Sequence, residues 1–112
     1  MDDINIEQQI QDKGLTAPRV TPDDIEKNIA GEYYTTADKA FDGSPVLQAL
    51  NLLTLCVIVL KNGFTVTGES ACASHENFDA EIGRKIARQN AVNKIWPLMG
   101  YALKEKLSKE FK

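Results

Sequence analysis

The chain has 112 residues, 43% hydrophobic and 26% charged, with a net charge of −3. This bounds one globular domain with one ordinary core. It excludes a membrane-spanning helix, because no apolar run reaches the roughly 20 residues a bilayer requires. It also excludes a disulfide scaffold, with two cysteines only, and speaks against a DNA binder, which favours a basic domain.

Residues 1–20 carry Ile4, Ile6, Ile10 and Leu15 among polar residues. They read as an N-terminal arm, a short helix followed by an extended linker, since Pro18 and Pro22 bias the residue before each away from helix. The acidic Met1-Asp2-Asp3 start lacks a signal peptide's basic and apolar segments, so the expected location is the cytosol. Residues 21–112 are expected to form a single α+β domain. Thr21-Pro22-Asp23-Asp24 predicts a helix start, with Thr21 as cap, Pro22 at the first helical position and acids in the first turn. Ile25 and Ile29 share one face of that helix, which should end near Gly31.

Tyr33 and Tyr34 can begin a strand, and Asp42-Gly43-Ser44-Pro45 reads as a loop. Leu50 to Lys61 is rich in Leu, Val and Ile without strict alternation, which predicts a strand covered on both faces. Asn62-Gly63 predicts a tight hairpin of type I′, and Phe64 to Ala71 returns antiparallel. Gly68 inside that strand points to a bulge or to close approach by another backbone or a ligand. Asn77 or Asp79 can cap a long helix with Ile82, Ile86, Ala91 and Ile95 near one face and Arg84 and Arg88 on another. Pro97 should kink or break it. The terminal helix then shows Met99, Leu103, Leu107 and Phe111 as its apolar stripe. The expected architecture is therefore a small antiparallel hairpin-based sheet against a long C-terminal helix broken near Pro97, with an N-terminal helix.

Charge is unevenly spread. Residues 1–32 carry 8 acidic against 3 basic side chains, and residues 84–112 carry 8 basic against 2 acidic. Two solvated helix faces account for this, as would attraction of an anion or of a second protomer.

Few residues suggest chemistry. Cys72 and His75 are close in sequence, but a zinc site wants four ligands and only Asp79 is near enough to add. Nothing local marks the pair as thiol and base. Glu69, Glu76, Asp79 and Glu81 place carboxylates at a strand-to-helix junction, where capping explains them better than acid/base work. No phosphate loop or dinucleotide fingerprint occurs. No catalytic residue, metal or cofactor is expected.

A binding site is the better-founded expectation. Arg84 and Arg88 have the forked geometry that grips phosphate, next to the free N–H groups of a helix start. Phe64 or Phe78 can stack on a base, as can His75 and Trp96. Asn62, Ser70 and Asn77, with Ser74, can fix its orientation.

Four runs carry a resemblance: Leu15 to Pro22, Asn62 to Cys72, Asn77 to Ala87, and Ile95-Trp96-Pro97-Leu98-Met99-Gly100-Tyr101. Together they resemble a gp49-type tailed-phage protein family across nearly the whole chain. The hairpin-plus-helix pattern is also similar to the Thoeris anti-defence protein 1 family. Those proteins are sponges that bind cyclic ADP-ribose signals, some of them cyclic oligonucleotides of the CBASS type, and release them intact. They assemble as dimers and hexamers with ligand between protomers. The resemblance implies a non-enzymatic phage protein that sequesters a host signalling nucleotide in the infected cell's cytoplasm, as a homo-oligomer with no DNA or membrane partner. Capture of a host protein is the alternative, and a small hydrolase using Glu69 or His75 a third.

Overall fold

The computed structural model describes residues 3–15, 17–41 and 47–110. The expected loop at 42–45 and Phe111 of the expected stripe lie outside the described residues. Among those residues no helix is long and apolar enough to cross a membrane. The architecture is α+β, as expected. A three-stranded antiparallel sheet, ordered β1-β2-β3, packs one face against a long C-terminal helix.

Helix α1 spans Asp3–Asp12 and buries no residue. Helix α2, Pro22–Lys27, starts where Thr21-Pro22-Asp23-Asp24 predicts. Thr21 Oγ1 accepts the Asp24 N–H at 3.1 Å, and an Asp24 carboxylate oxygen accepts the Thr21 N–H at 3.0 Å. Two orphan donors of the first turn are thereby satisfied. The helix ends at Asn28, short of Gly31, because the sheet claims the next backbone groups. Lys61 N–H donates to the Asn28 carbonyl at 2.9 Å, and Ile29 opens β1. Ile25 remains on the helix and is fully buried.

Strand β1 runs Ile29–Thr36, β2 Leu53–Leu60 and β3 Thr65–Ala71. A four-residue helix α3, Ala37–Ala40, follows β1, and a 3-10 turn at Gln48–Leu52 leads into β2. In β2 Thr54, Cys56, Ile58 and Leu60 are buried, while Leu53, Leu55, Val57 and Val59 are half-buried on the opposite face. That strand is thus fully covered on one face only.

The hairpin after β2 differs from the type I′ turn expected. Gly63 alone takes a positive φ, +91°. Gly63 N–H donates to Leu60 O at 2.9 Å and Leu60 N–H to Phe64 O at 2.8 Å. The loop is therefore Lys61-Asn62-Gly63 with a left-handed glycine at its third position, which spares Asn62 a positive φ. The register shift lies between Ile29 and Gly31 in β1, whereas the pairing of β3 is regular through Gly68.

Helix α4 spans Ala80–Glu110 as one element. Its sheet-facing stripe is Gly83, Ala87, Ala91 and Ile95, with Val92 beside it, whereas Ile82 and Ile86 are 56% and 47% exposed. The cause is Gly68. A Cβ there would collide with the Ala87 carbonyl and the Ala91 backbone. Opposite Gly68 the helix axis sits so close to β3 that only small side chains fit between, and the two isoleucines are turned aside. Pro97 does not end α4. It removes one hydrogen bond on an exposed side, and the rest of a 31-residue helix carries through. Met99 reaches the core, while Leu103 and Leu107 are half-buried.

Candidate functional site

Among the described residues Thr54 is the one buried polar side chain. It faces α4 because the even-numbered positions of β2 do, and it lies beneath Gly83. A Cβ at Gly83 would fall 2.8 Å from Thr54 Oγ1. The Thr54 hydroxyl finds no hydrogen-bond partner among the described residues. Two cavities open beside it.

The larger, of 310 Å³, is on the β1 side. It is lined by Tyr34, Thr35, Thr36, Lys39, Thr54, Phe78, Ala80 and Arg84. Thr36 pairs with Thr54 across the sheet and Tyr34 with Cys56, so β1 presents their side chains toward α4. Lys39 comes from α3 and Arg84 from the first turns of α4. Among the described residues neither cation forms an ion pair. The smaller cavity, of 140 Å³, is on the β3 side and includes Leu52, Ser70, Cys72, Asn77, Asp79, Ile82 and Ile86. Thr54 and Phe78 line both. Asp79 Oδ1 accepts the Ile82 N–H at 3.0 Å and caps α4.

Of the residues expected to bind ligand, Ser70, Asn77, Phe78 and Arg84 come together here. Arg88 is elsewhere engaged. Its Nε donates to Glu32 at 2.6 Å and its Nη2 to Glu26 at 2.7 Å. Those hydrogen bonds, Glu32's first, raise the Arg88 pKa further and hold the Glu32 carboxyl below its usual range. Burial and the 2.9 Å bond to Glu32 push the Tyr34 hydroxyl up. Asn62 and Phe64 occupy the hairpin tip, roughly 20 Å along β2 from Thr54. There the Asn62 side chain accepts the Phe64 N–H at 2.9 Å and shapes the turn.

Thr54, Lys39, Tyr34 and Thr36 were not foreseen. Thr54 had a visible signal, as the lone polar residue inside the apolar run Leu52 to Leu60. Lys39 and Thr36 had none, because only pairing of β1 with β2 brings them to the same place.

Neither cysteine is bridged. Burial raises the Cys56 thiol pKa. Cys72 donates to the Ser74 carbonyl at 3.2 Å. Trp96 Nε1 donates to Asp3 at 3.1 Å and so helps fasten α1. Among the described residues no group of three His, Cys, Asp or Glu side chains is placed to hold a metal ion.

A model of the phage protein (N4 Gp49/phage Sf6 gene 66) family matches residues 20–107. No curated protein and no solved structure matches the chain significantly.

Proposed function

The chain belongs to the phage protein (N4 Gp49/phage Sf6 gene 66) family, and on that premise we propose that it binds and sequesters a host immune signalling nucleotide without cleaving it. The ligand class is a cyclic ADP-ribose variant or a cyclic oligonucleotide, the setting is the infected host's cytoplasm, and the acting form is a homodimer or hexamer. The observation that carries this reading is the larger cavity. Arg84 and Lys39, two cations with no ion pair among the described residues, and two aromatic rings, Tyr34 and Phe78, converge beside the Thr54 hydroxyl, which has no hydrogen-bond partner among them. An Arg fork and a Lys ammonium grip phosphate, and an aromatic face stacks on a base. The described walls of the larger cavity hold no carboxylate, imidazole or thiol, which supports a binding role there.

Isothermal titration against cyclic ADP-ribose isomers, cyclic dinucleotides and cyclic trinucleotides tests the reading. Tight binding of one class, with intact ligand recovered on heating, is the expected result. Absence of binding across the panel, or recovery of a cleaved product, overturns it.

Capture of a host protein is the second reading. It is favoured by the half-buried row Leu53, Leu55, Val57 and Val59 with Tyr33, 63% exposed, on the neighbouring strand. Apolar surface of this kind marks protein contacts.

A further inference from the structure

Two buried side-chain polar atoms lack a hydrogen-bond partner among the described residues, Asp38 Oδ1 and Thr54 Oγ1. Asp38 lines neither cavity at the start of α4. Thr54, 3% exposed, lines both. A buried hydroxyl without a partner destabilises the fold, and a persistent one calls for an explanation outside the chain's own hydrogen bonding.

We infer that the two cavities are compartments of one site for a nucleoside phosphate. The anionic group lies in the larger, between Arg84 and Lys39. The uncharged heterocycle lies in the smaller, against Ser70 and Asn77. Thr54 Oγ1 hydrogen-bonds the ligand where the compartments meet. This rests on the nucleotide-binding part of the reading above and deepens it, by assigning each half of the ligand to a place.

Three observations sort the halves. The first is charge. Both cations line the larger cavity, whereas the smaller contains the Asp79 carboxylate, fixed by its 3.0 Å bond from Ile82 N–H, which repels an anion. The second is size. Ligand pockets begin at about 300 Å³. The larger cavity, at 310 Å³, reaches that value, and the smaller, at 140 Å³, takes only a fragment of a ligand anchored next door. The third is wall chemistry. Leu52, Ile82 and Ile86 give the smaller compartment apolar faces, with Ser70 and Asn77 as polar edges. A flat heterocycle with a hydrogen-bonding rim matches that combination. It also covers Ile82 and Ile86, which the sheet leaves half-exposed. Gly83 contributes by absence, since a side chain there would press on Thr54 Oγ1.

The test is an NMR titration of the full chain with adenosine 5′-monophosphate, ribose 5-phosphate and adenosine. Adenosine 5′-monophosphate should shift Lys39 and Arg84 together with Ser70 and Asn77. Ribose 5-phosphate should shift the first pair alone, and adenosine the second pair alone. Thr54→Val, which keeps the shape, should weaken adenosine 5′-monophosphate about fivefold. Asn77→Ala alters an exposed residue that the fold does not need. It should weaken adenosine 5′-monophosphate and adenosine while leaving ribose 5-phosphate unchanged. Shifts confined to one compartment, or an unchanged affinity in Asn77→Ala, overturn the inference. If a cyclic nucleotide still binds tightly in that event, sequestration stands and only the two-compartment division falls. If the cyclic panel fails while adenosine 5′-monophosphate shifts both compartments, the reverse holds.

Discussion

Arg88 and Glu32 are 56 positions apart in the chain, and the Arg88 Nε donates to the Glu32 carboxylate at 2.6 Å. The same guanidinium also reaches Glu26, so one arginine ties α4 to both α2 and β1. Arg84, one turn earlier on α4, makes no ion pair among the described residues and lines a cavity instead. Two residues that look alike in sequence are separated by what lies opposite each.

Arg88→Ala should therefore act on stability. The three side chains are partly exposed, which limits the loss to about 1 kcal/mol. A thermal melt should fall by about 4 °C, with nucleotide affinity unchanged. Arg84→Ala should do the opposite, leaving the melt in place and weakening phosphate-bearing ligands at least about tenfold. An Arg88→Ala variant that lost binding while melting normally would place the phosphate elsewhere.

Gly68→Ala should cost about 1–3 kcal/mol, because the new methyl meets the Ala87 and Ala91 backbone and α4 must move off β3. Gly100→Ala is the contrast. A Cβ there meets nothing within 4 Å, and Ala should stabilise the helix by about 1 kcal/mol. Urea unfolding of the two variants measures both, and equal effects of one sign would contradict the close packing.

Arg19 forms two hydrogen bonds to the Glu7 carboxylate, at 2.6 and 2.7 Å. With the bond from Gln11, this holds the Glu7 pKa at about 2 against an ordinary 4.5. A carboxyl depressed in the folded state contributes stability that is complete above the unfolded value and lost as pH falls through the folded one. The tie between α1 and the linker should hold at pH 4.5 and fail near pH 2. Trp96 is the single tryptophan and lines the 220 Å³ cavity beneath α1 with Ile6 and Glu7. Its fluorescence should report an acid transition near 2, and Arg19→Ala should move that transition up toward 4.5. A transition insensitive to Arg19→Ala would mean that α1 is held by something else.

Pro97→Ala should stabilise the protein. Pro97 is exposed inside α4, so the substitution sacrifices no core contact and restores one backbone donor. Proline costs a helix interior about 3 kcal/mol relative to alanine, and a gain of at least about 1 kcal/mol should appear as a higher melting temperature. A lower one would show that α4 needs the proline at this position.

Much of the fold was legible because its signals are local. Thr21-Pro22-Asp23-Asp24 specifies a capping box within four residues, and Asn62-Gly63 specifies a chain reversal. The misjudged details share a cause. Ile82 and Ile86 looked like core on apolar character, but the sheet-facing stripe was decided by Gly68, 14 and 18 residues earlier on another element. Pro97 looked like a break because its local cost is real, yet packing along the rest of α4 outweighs one lost hydrogen bond. The site was half legible. Ser70, Asn77, Phe78 and Arg84 fall within 15 residues, so sequence proximity already grouped them. Arg88, one turn further on α4, could not be set apart in the same way.

The sequence by itself determined where α2 and α4 start and where the chain reverses between β2 and β3, because caps and turns act through neighbours a few residues away. Only the tertiary structure decided that Arg88 is engaged while Arg84 forms no ion pair among the described residues, and that Lys39 joins Arg84. It also decided that Thr54 is buried with a hydroxyl unmet among the described residues. Each of those outcomes depends on which group from a distant segment arrives within hydrogen-bond reach, and that is set by the register of β1 on β2 and the depth at which α4 settles on Gly68.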